Sequence, residues 1–291
     1  MVAKGYSSPE YQSVYKSEKA HRHFTYRKIL GTELLDRTSI YPFYPREIDL
    51  SEVFDGNGCI TTTVISDPLN NNAEWFRGNY IENYKQHAVV CLPNWSSTIY
   101  PENHKRNIKK GQKEEDFLVS EVVTFDPKNL VGDFKRVYNI LIERHNIAQD
   151  AWTHYSEDQI EQLLNVPGAV LFRTSFHEDD EDNGKTAGYS LFFIDGDNVY
   201  YHIGCQTELG YKNNSNFIMM DTAIRFFQRL GLKYLEIGAS PDGGGGGLKR
   251  FKEGFANETR TNRIIKVIHD QDKYNELCKD KSGDFFPLYR S

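Results

Sequence analysis

Five consecutive glycines, Gly243–Gly247, stand between K-Y-L-E-I-G (Lys233–Gly238) and L-K-R-F-K-E-G-F (Leu248–Phe255). A strand, a glycine run and a helix in that order let backbone N–H groups approach a phosphate or a carbonyl, with Gly244 and Gly245 as the candidate donors. The spacing is not that of G-x-G-x-x-G, and a flexible connector would have the same composition. Lys249 and Arg250 fall in the first turn of the helix, where the macrodipole disfavours cations by ~0.3–1 kcal/mol each, a cost that a bound anion would offset. Leu248, Phe251 and Phe255 can face the core at i, i+3 and i+7, which leaves Lys252 pointing elsewhere, near the strand end and the glycine loop.

A second constellation is N-H-K-R-N-I-K-K-G-Q-K, Asn103–Lys113. At 100° per residue Lys105, Arg106, Lys109, Lys110 and Lys113 fall within an arc of ~140°, with Ile108 on the opposite side. Like charges at i, i+4 cost an isolated helix ~0.2–0.5 kcal/mol each, so a polyanionic partner would stabilise this one. A solvated face, helped by Glu114, Glu115 and Asp116, is the other reading. The chain has no G-x-S-x-G, no H-E-x-x-H and no G-x-x-x-x-G-K-[ST], so nucleophile-elbow hydrolases, zincins and P-loop enzymes lack their parts. His21 and His23 have no third ligand in view, so no metal site is expected. His202 and Tyr211 are candidate proton acceptors through water, although a histidine within a strand is more often a satisfied core residue.

These residues need elements to position them. Cys59–Ser66, His87–Leu92, Phe117–Phe125, Ala169–Phe176, Thr186–Ile194, Val199–Thr207, Lys233–Gly238 and Arg260–His269 read as strands. Phe134, Val137, Tyr138 and Leu141 repeat at helical spacing to about Asn146, and Ser156 with Gln159 forms a capping box before Ile160, Leu163 and Leu164. Phe217, Met220, Ile224 and Phe227 mark a further helix that ends at Gly231. The block Glu178–Asp182 reads as a solvated loop tip. From Asp133 onward the order is α, α, β, β, β, α, β, α, β. The Tyr-rich stretch before residue 55, interrupted by Pro42 and Pro45, resists assignment.

The chain of 291 residues is 38% apolar and 26% charged, with 18 Tyr and 18 Phe, which excludes disorder and leaves room for about two domains. A formal charge of −6 argues against a generalised nucleic-acid or anionic-membrane surface, while a local basic patch stays open. The N-terminus has no apolar h-region and the longest apolar runs are strand-sized, so a cytoplasmic chain without a transmembrane segment is expected. Cys59, Cys91, Cys205 and Cys278 are scattered and read as free thiols.

With these motifs in place, the element order from Asp133 resembles the GNAT acyltransferase fold. L-K-R-F-K-E-G-F after a glycine-rich strand end looks like the C-terminal signature of Fem-type peptidoglycan aminoacyltransferases. N-H-K-R-N-I-K-K is similar to the basic helix those proteins carry before their second GNAT unit. The resemblance covers roughly residues 60 to 270. It implies an α/β (α+β) fold of tandem GNAT-like units with a mixed central sheet flanked by helices, a reduced unit over residues 1–125 and a second over 126–291. It implies transfer of an acyl or aminoacyl group to an amine, with aminoacyl-tRNA or acyl-CoA as co-substrate, no permanently bound cofactor, and a small-molecule or lipid-linked phosphorylated acceptor; DNA is not an expected partner. By resemblance Lys252 stabilises the oxyanion or binds the donor, Phe251 neighbours the donor 3′ end, and Lys105, Arg106 and Lys109 face phosphate, while Tyr211 joins the candidate substrate-binding residues. The stretch E-L-G-Y-K-N-N-S-N (Glu208–Asn216) lacks the pyrophosphate loop of ordinary GNAT proteins, so weak CoA binding is expected. An acyl-CoA-dependent N-acetyltransferase and a catalytically inactive GNAT-like binding module are the alternatives.

Overall fold

The structure is a computed structural model and describes residues 4–15, 24–44, 50–70, 81–112, 118–123, 127–148, 153–176, 185–239 and 246–291. In chain order the elements are α1 (Pro9–Val14), β1 (Phe24–Lys28), β2 (Leu35–Ser39), α2 (Leu50–Asp55), β3 (Thr61–Ile65), β4 (Ile81–Cys91), α3 (Glu102–Gly111), β5 (Leu118–Val122), α4 (Pro127–Arg144), α5 (Glu157–Leu164), β6 (Ala169–Phe176), β7 (Thr186–Asp195), β8 (Asn198–Gln206), α6 (Glu208–Lys212), α7 (Ser215–Arg229), β9 (Tyr234–Ala239), α8 (Gly247–Phe255), β10 (Glu258–Ile268) and α9 (Gln271–Leu277). The expected class, mixed strands flanked by helices, is the one observed, and the order expected from Asp133 holds with α6 and α9 as additions. Chain contacts divide the protein into two compact units, residues 1–14 with 87–259 and residues 15–86 with 260–291. The division therefore does not fall at 125/126: α3 and β5 pack on α7 and belong with the chain that follows them.

In the larger unit the strand order is β4, β9, β8, β7, β6, β5, with residues 87–91 of β4 at one end. Neighbours are antiparallel except β8 and β9, which run parallel. Alternation along β7 sends successive aromatics to opposite faces. Phe192 meets Phe227 of α7 at 5.2 Å between ring centroids, whereas Phe193 meets Tyr6 at 5.3 Å and His202 at 4.9 Å. On the α7 face, Met219, Met220, Ile224 and Phe227 close on Val90, Leu235, Phe251 and Phe255 in one apolar cluster, each large side chain contributing ~1.5–3 kcal/mol on burial. The capping box of α5 is present in both directions, Gln159 N–H to Ser156 Oγ at 3.2 Å and Ser156 N–H to Gln159 Oε1 at 3.0 Å.

Two irregularities of β9 matter for the site. Against β4, Ala88 is registered with Gly238 but Val89 with Glu236, so β9 carries one extra residue there. Residues opposite one another share a face, and so do His87 and Val89 on their strand; the bulge thus turns Glu236 to the face that holds His87. Against β8, registered pairing ends at Tyr200–Glu236, while β8 runs on to Gln206 and β9 to Ala239. The sheet opens beside the last residues of β9.

The smaller unit orders its strands β1, β2, β3, β10, β4, with β2 and β3 parallel and β3 and β10 antiparallel. Phe24, Tyr44, Val53, Val64 and Ile265 form its apolar centre. Arg37, 1% exposed, donates from Nε to Thr62 Oγ1 at 2.8 Å and from Nη2 to Val53 O at 3.1 Å, and its guanidinium lies 4.4 Å from the centroid of the Phe24 ring. The fully buried Asp36 accepts from Arg27 Nε at 3.0 Å and from Arg290 Nε at 2.6 Å. The four cysteines are free thiols, and among the described residues no helix is long and apolar enough to cross a membrane.

Candidate functional site

The short helix α8 is anchored by Phe251 and Phe255, both buried. Leu248, expected beside them, is 46% exposed, because the helix begins at Gly247 and its first turn is open to solvent. Lys252 lies in the last turn of this nine-residue helix and not among the free N–H groups of its start. The macrodipole there favours an ammonium. Its Nζ donates to the Ala239 carbonyl at 2.6 Å, at the end of β9. A Cβ on Gly238 would lie 2.8 Å from that Nζ and 3.9 Å from Glu236 Oε1, and the φ of +96° at Gly238 is what calls for glycine there. Burial pushes the Lys252 ammonium below the ordinary lysine value, and the Glu236 carboxylate acts in the opposite sense.

The basic segment forms α3, and one residue fixes it. His104 is 1% exposed, and its Nε2–H donates to the Phe251 carbonyl of α8 at 3.0 Å. Its ring fills the space over Gly254, where a Cβ would come within 2.2 Å of it, and contacts Phe217 of α7 at 4.9 Å between centroids. Burial lowers the His104 pKa, which keeps the ring neutral. Held this way, α3 forms one wall of a cavity of ≈ 660 Å³ that Lys105 and Lys109 line together with Arg225 and Asp221 of α7 and with Tyr100. Asp221 accepts from Tyr100 Oη at 2.9 Å and from Arg225 Nε at 2.9 Å. It is the carboxylate among the described lining residues, set against three cations. Ile108, expected opposite the charged face, lines the cavity between the lysines. Arg106 and Lys110 are exposed and lie outside its wall. Lys105 also reaches Glu102 at 3.0 Å, an exposed pair of small energetic weight.

The other expected site residues disperse. Phe251 is 8% exposed, packed on Phe217 at 5.1 Å and Phe255 at 5.2 Å, a core position. Tyr211 lies in α6 with the Arg144 guanidinium 4.2 Å from its ring centroid, and it is not among the residues that line the cavity. Gly244 and Gly245 lie outside the described residues, as do His21, His23 and the acidic stretch 178–182. His202 packs among aromatic side chains with Tyr6 Oη 3.0 Å from its Nδ1, and burial drives its pKa down to about 3. Where a pyrophosphate loop would run, Thr207 caps α6, and Gly210 sits so tightly on β7 that a Cβ would lie 2.0 Å from the Ala187 carbonyl. That glycine serves packing.

Sequence reasoning did not find His87, Tyr100, His104, Asp221, Arg225 or Glu236. The i, i+4 pair Asp221–Arg225 inside an apolar helical run was the available signal. Glu236 within an otherwise apolar strand was another.

No protein-family profile and no curated protein matches the chain in sequence. Among solved structures, FemX matches with a TM-score of 0.67 at 10% identity, over 94% of this chain and 94% of its own. L-PGS from Bacillus licheniformis matches at 0.57 and 9% identity, over 93% and 94% of the two chains. The C-terminal domain of a putative lysylphosphatidylglycerol synthetase from Agrobacterium fabrum matches at 0.55 and 12% identity, over 86% and 81%. The Fem-type resemblance drawn from the motifs therefore holds at the level of the fold.

Proposed function

We propose that the protein transfers an activated carboxyl group, acyl or aminoacyl, to an amine, and that the cavity beside α3 holds a phosphorylated part of a substrate. The observation that carries this reading is Lys252: a half-buried ammonium on the Ala239 carbonyl, at the strand end where β8 and β9 part. In such a transfer the amine nitrogen attacks an ester or thioester carbonyl, and the π pair moves onto oxygen. An ammonium has three N–H donors, one of which is engaged by Ala239, so two remain for the oxyanion. Low local polarity strengthens that contact. Lys105, Lys109 and Arg225 supply a cationic wall suited to phosphate, with Arg225 held in orientation by Asp221. The Agrobacterium fabrum neighbour is named for the synthesis of lysylphosphatidylglycerol, an aminoacylated phospholipid, and its likeness in fold fits an aminoacyl donor and a phosphorylated acceptor.

The test is transfer from a pool of aminoacyl-tRNAs and, separately, from acetyl-CoA to a panel of amines that includes phosphorylated amino sugars and aminophospholipid vesicles. Lys252→Met is expected to lower kcat by ~10²–10³ with donor affinity retained. Lys249→Met, exposed and paired with Glu253 at 3.7 Å, should change it little. Since the ammonium stabilises an oxyanion far better than the neutral amine does, wild-type kcat should fall as pH rises through a value below 10.5. A fully active Lys252→Met variant would remove the oxyanion role.

A further inference from the structure

A buried acid–imidazole pair lies beside Lys252, and the reading above leaves it idle. His87 Nδ1 is 2.7 Å from Glu236 Oε1, and the two side chains are 9% and 4% exposed. One proton is shared at this contact, and in the tautomer where Nδ1 donates it to the carboxylate the ring carries its lone pair on Nε2. That Nε2 is buried and has no hydrogen-bond partner among the described residues. A buried acceptor gains when a donor reaches it, so this nitrogen can take one from a bound substrate. The bulge in β9 is what makes the pair, since a regular strand would turn Glu236 to the other face. The pair also sits where the chemistry would be. His87 is registered with Ala239, the residue whose carbonyl holds Lys252 Nζ, and a Cβ on Gly238 would lie 2.8 Å from Nζ and 3.9 Å from Glu236 Oε1.

We propose that His87 is the general base of the transfer and that Glu236 is its positioning residue; the inference rests on the transferase reading given above. As the amine nitrogen bonds to the acyl carbon, its N–H proton passes to His87 Nε2, while the carbonyl π pair moves to oxygen beside the Lys252 ammonium. The intermediate then re-forms the carbonyl and breaks the C–O or C–S bond, and the imidazolium returns the proton to the departing oxygen or sulfur. Donor and acceptor supply every atom, and the enzyme ends as it began. Glu236 holds the ring in the Nδ1–H tautomer and stabilises the imidazolium without being protonated itself, the division of labour known from acid–histidine pairs in acyl transfer.

The aminoacyl-tRNA and acetyl-CoA panel decides it. His87→Gln is expected to lower kcat ~10²–10⁴-fold with donor KM unchanged, and Glu236→Gln ~10-fold or more. Turnover by His87→Gln within about twofold of a working wild type would overturn the base and leave the transferase reading standing. A wild type inert with every donor and amine would overturn both. Should His87→Gln fail to fold, ¹⁵N NMR of histidine-labelled wild type answers at pH 7. A protonated Nδ1 with a bare Nε2 on His87 is expected, and an Nε2–H tautomer would overturn the assignment.

Discussion

Lys249 and Lys252 stand one turn apart on α8 and differ in almost everything that bears on an ammonium. Lys249 is exposed and its partner Glu253 is exposed too, so water screens both. Lys252 is desolvated, faces a main-chain carbonyl, and lies close to a carboxylate that itself is 3% exposed. Burial and these two contacts separate a solvated cation from a desolvated one. His202 illustrates the same force with a different result. Its ring is enclosed by Tyr6, Tyr11, Tyr155 and Phe193, and its pKa falls from 6.5 to about 3. The unfolded chain takes up a proton below pH 6.5, while the folded chain refuses it down to about pH 3. Stability is therefore lost as pH falls through that window, by up to ~1.4 kcal/mol per pH unit. His202→Gln keeps a hydrogen-bonding group for Tyr6 and cannot take up the proton. Urea midpoints measured from pH 7 to 4 should fall more steeply for wild type than for this variant, and parallel curves would show that His202 titrates normally.

Among elements, the contact of α3 with α8 depends on one residue having no side chain. Gly→Ala inside a helix is ordinarily worth ~1 kcal/mol in favour of alanine. At Gly254 the new Cβ would lie 2.2 Å from the His104 ring, so α3 must shift and the bond to Phe251 O must lengthen. Gly254→Ala should therefore destabilise by ~1–3 kcal/mol in urea unfolding, and the sign should reverse in a His104→Ala background, a coupling that a double-mutant cycle reads directly. The cavity makes a second prediction for α3. Inorganic pyrophosphate should bind wild type with an affinity that weakens as salt is raised, and Lys105→Gln/Lys109→Gln should weaken binding and flatten the slope. Arg106→Gln, outside the wall, should leave both nearly unchanged; equal effects of all three positions would mean a diffuse charged face.

Legibility follows the same scale. Strands β6 to β9 and helices α5 and α7 were readable because a period of two or of 3.6 runs over many residues with turn residues at the ends. Helix α6 is five residues long and α1 six, too short for a period to declare itself. The candidate site was half readable. Lys252 and the lysines of α3 stand in compact charged motifs, whereas the cavity's far wall comes from Asp221 and Arg225, more than 100 residues later. The His87–Glu236 pair depends on a bulge that K-Y-L-E-I-G, read as regular alternation, does not announce.

For the whole molecule, the two units have separate apolar centres. In the smaller one, Asp36 is fully buried and accepts from Arg27, Tyr289 and Arg290. Arg290→Ala leaves that carboxylate short of its shortest contact, 2.6 Å, and should destabilise by ~2–3 kcal/mol. Pyrophosphate binding at the cavity, a property of the larger unit, should be unchanged in this variant under native conditions; a parallel loss would show that the units do not hold their structures separately. The division at 14/15, 86/87 and 259/260 also bears on biosynthesis. A ribosome delivers residues in order, and domains made of one stretch can fold as soon as they emerge. Here the first strands of the smaller unit leave the tunnel before any of the larger unit's strands, yet lack β10 until residue 268 has been added. During all of that interval β3 has one unpaired side, an open edge of the kind that recruits other chains. A nascent chain of this topology is expected to depend on chaperones longer than one whose units follow each other in line.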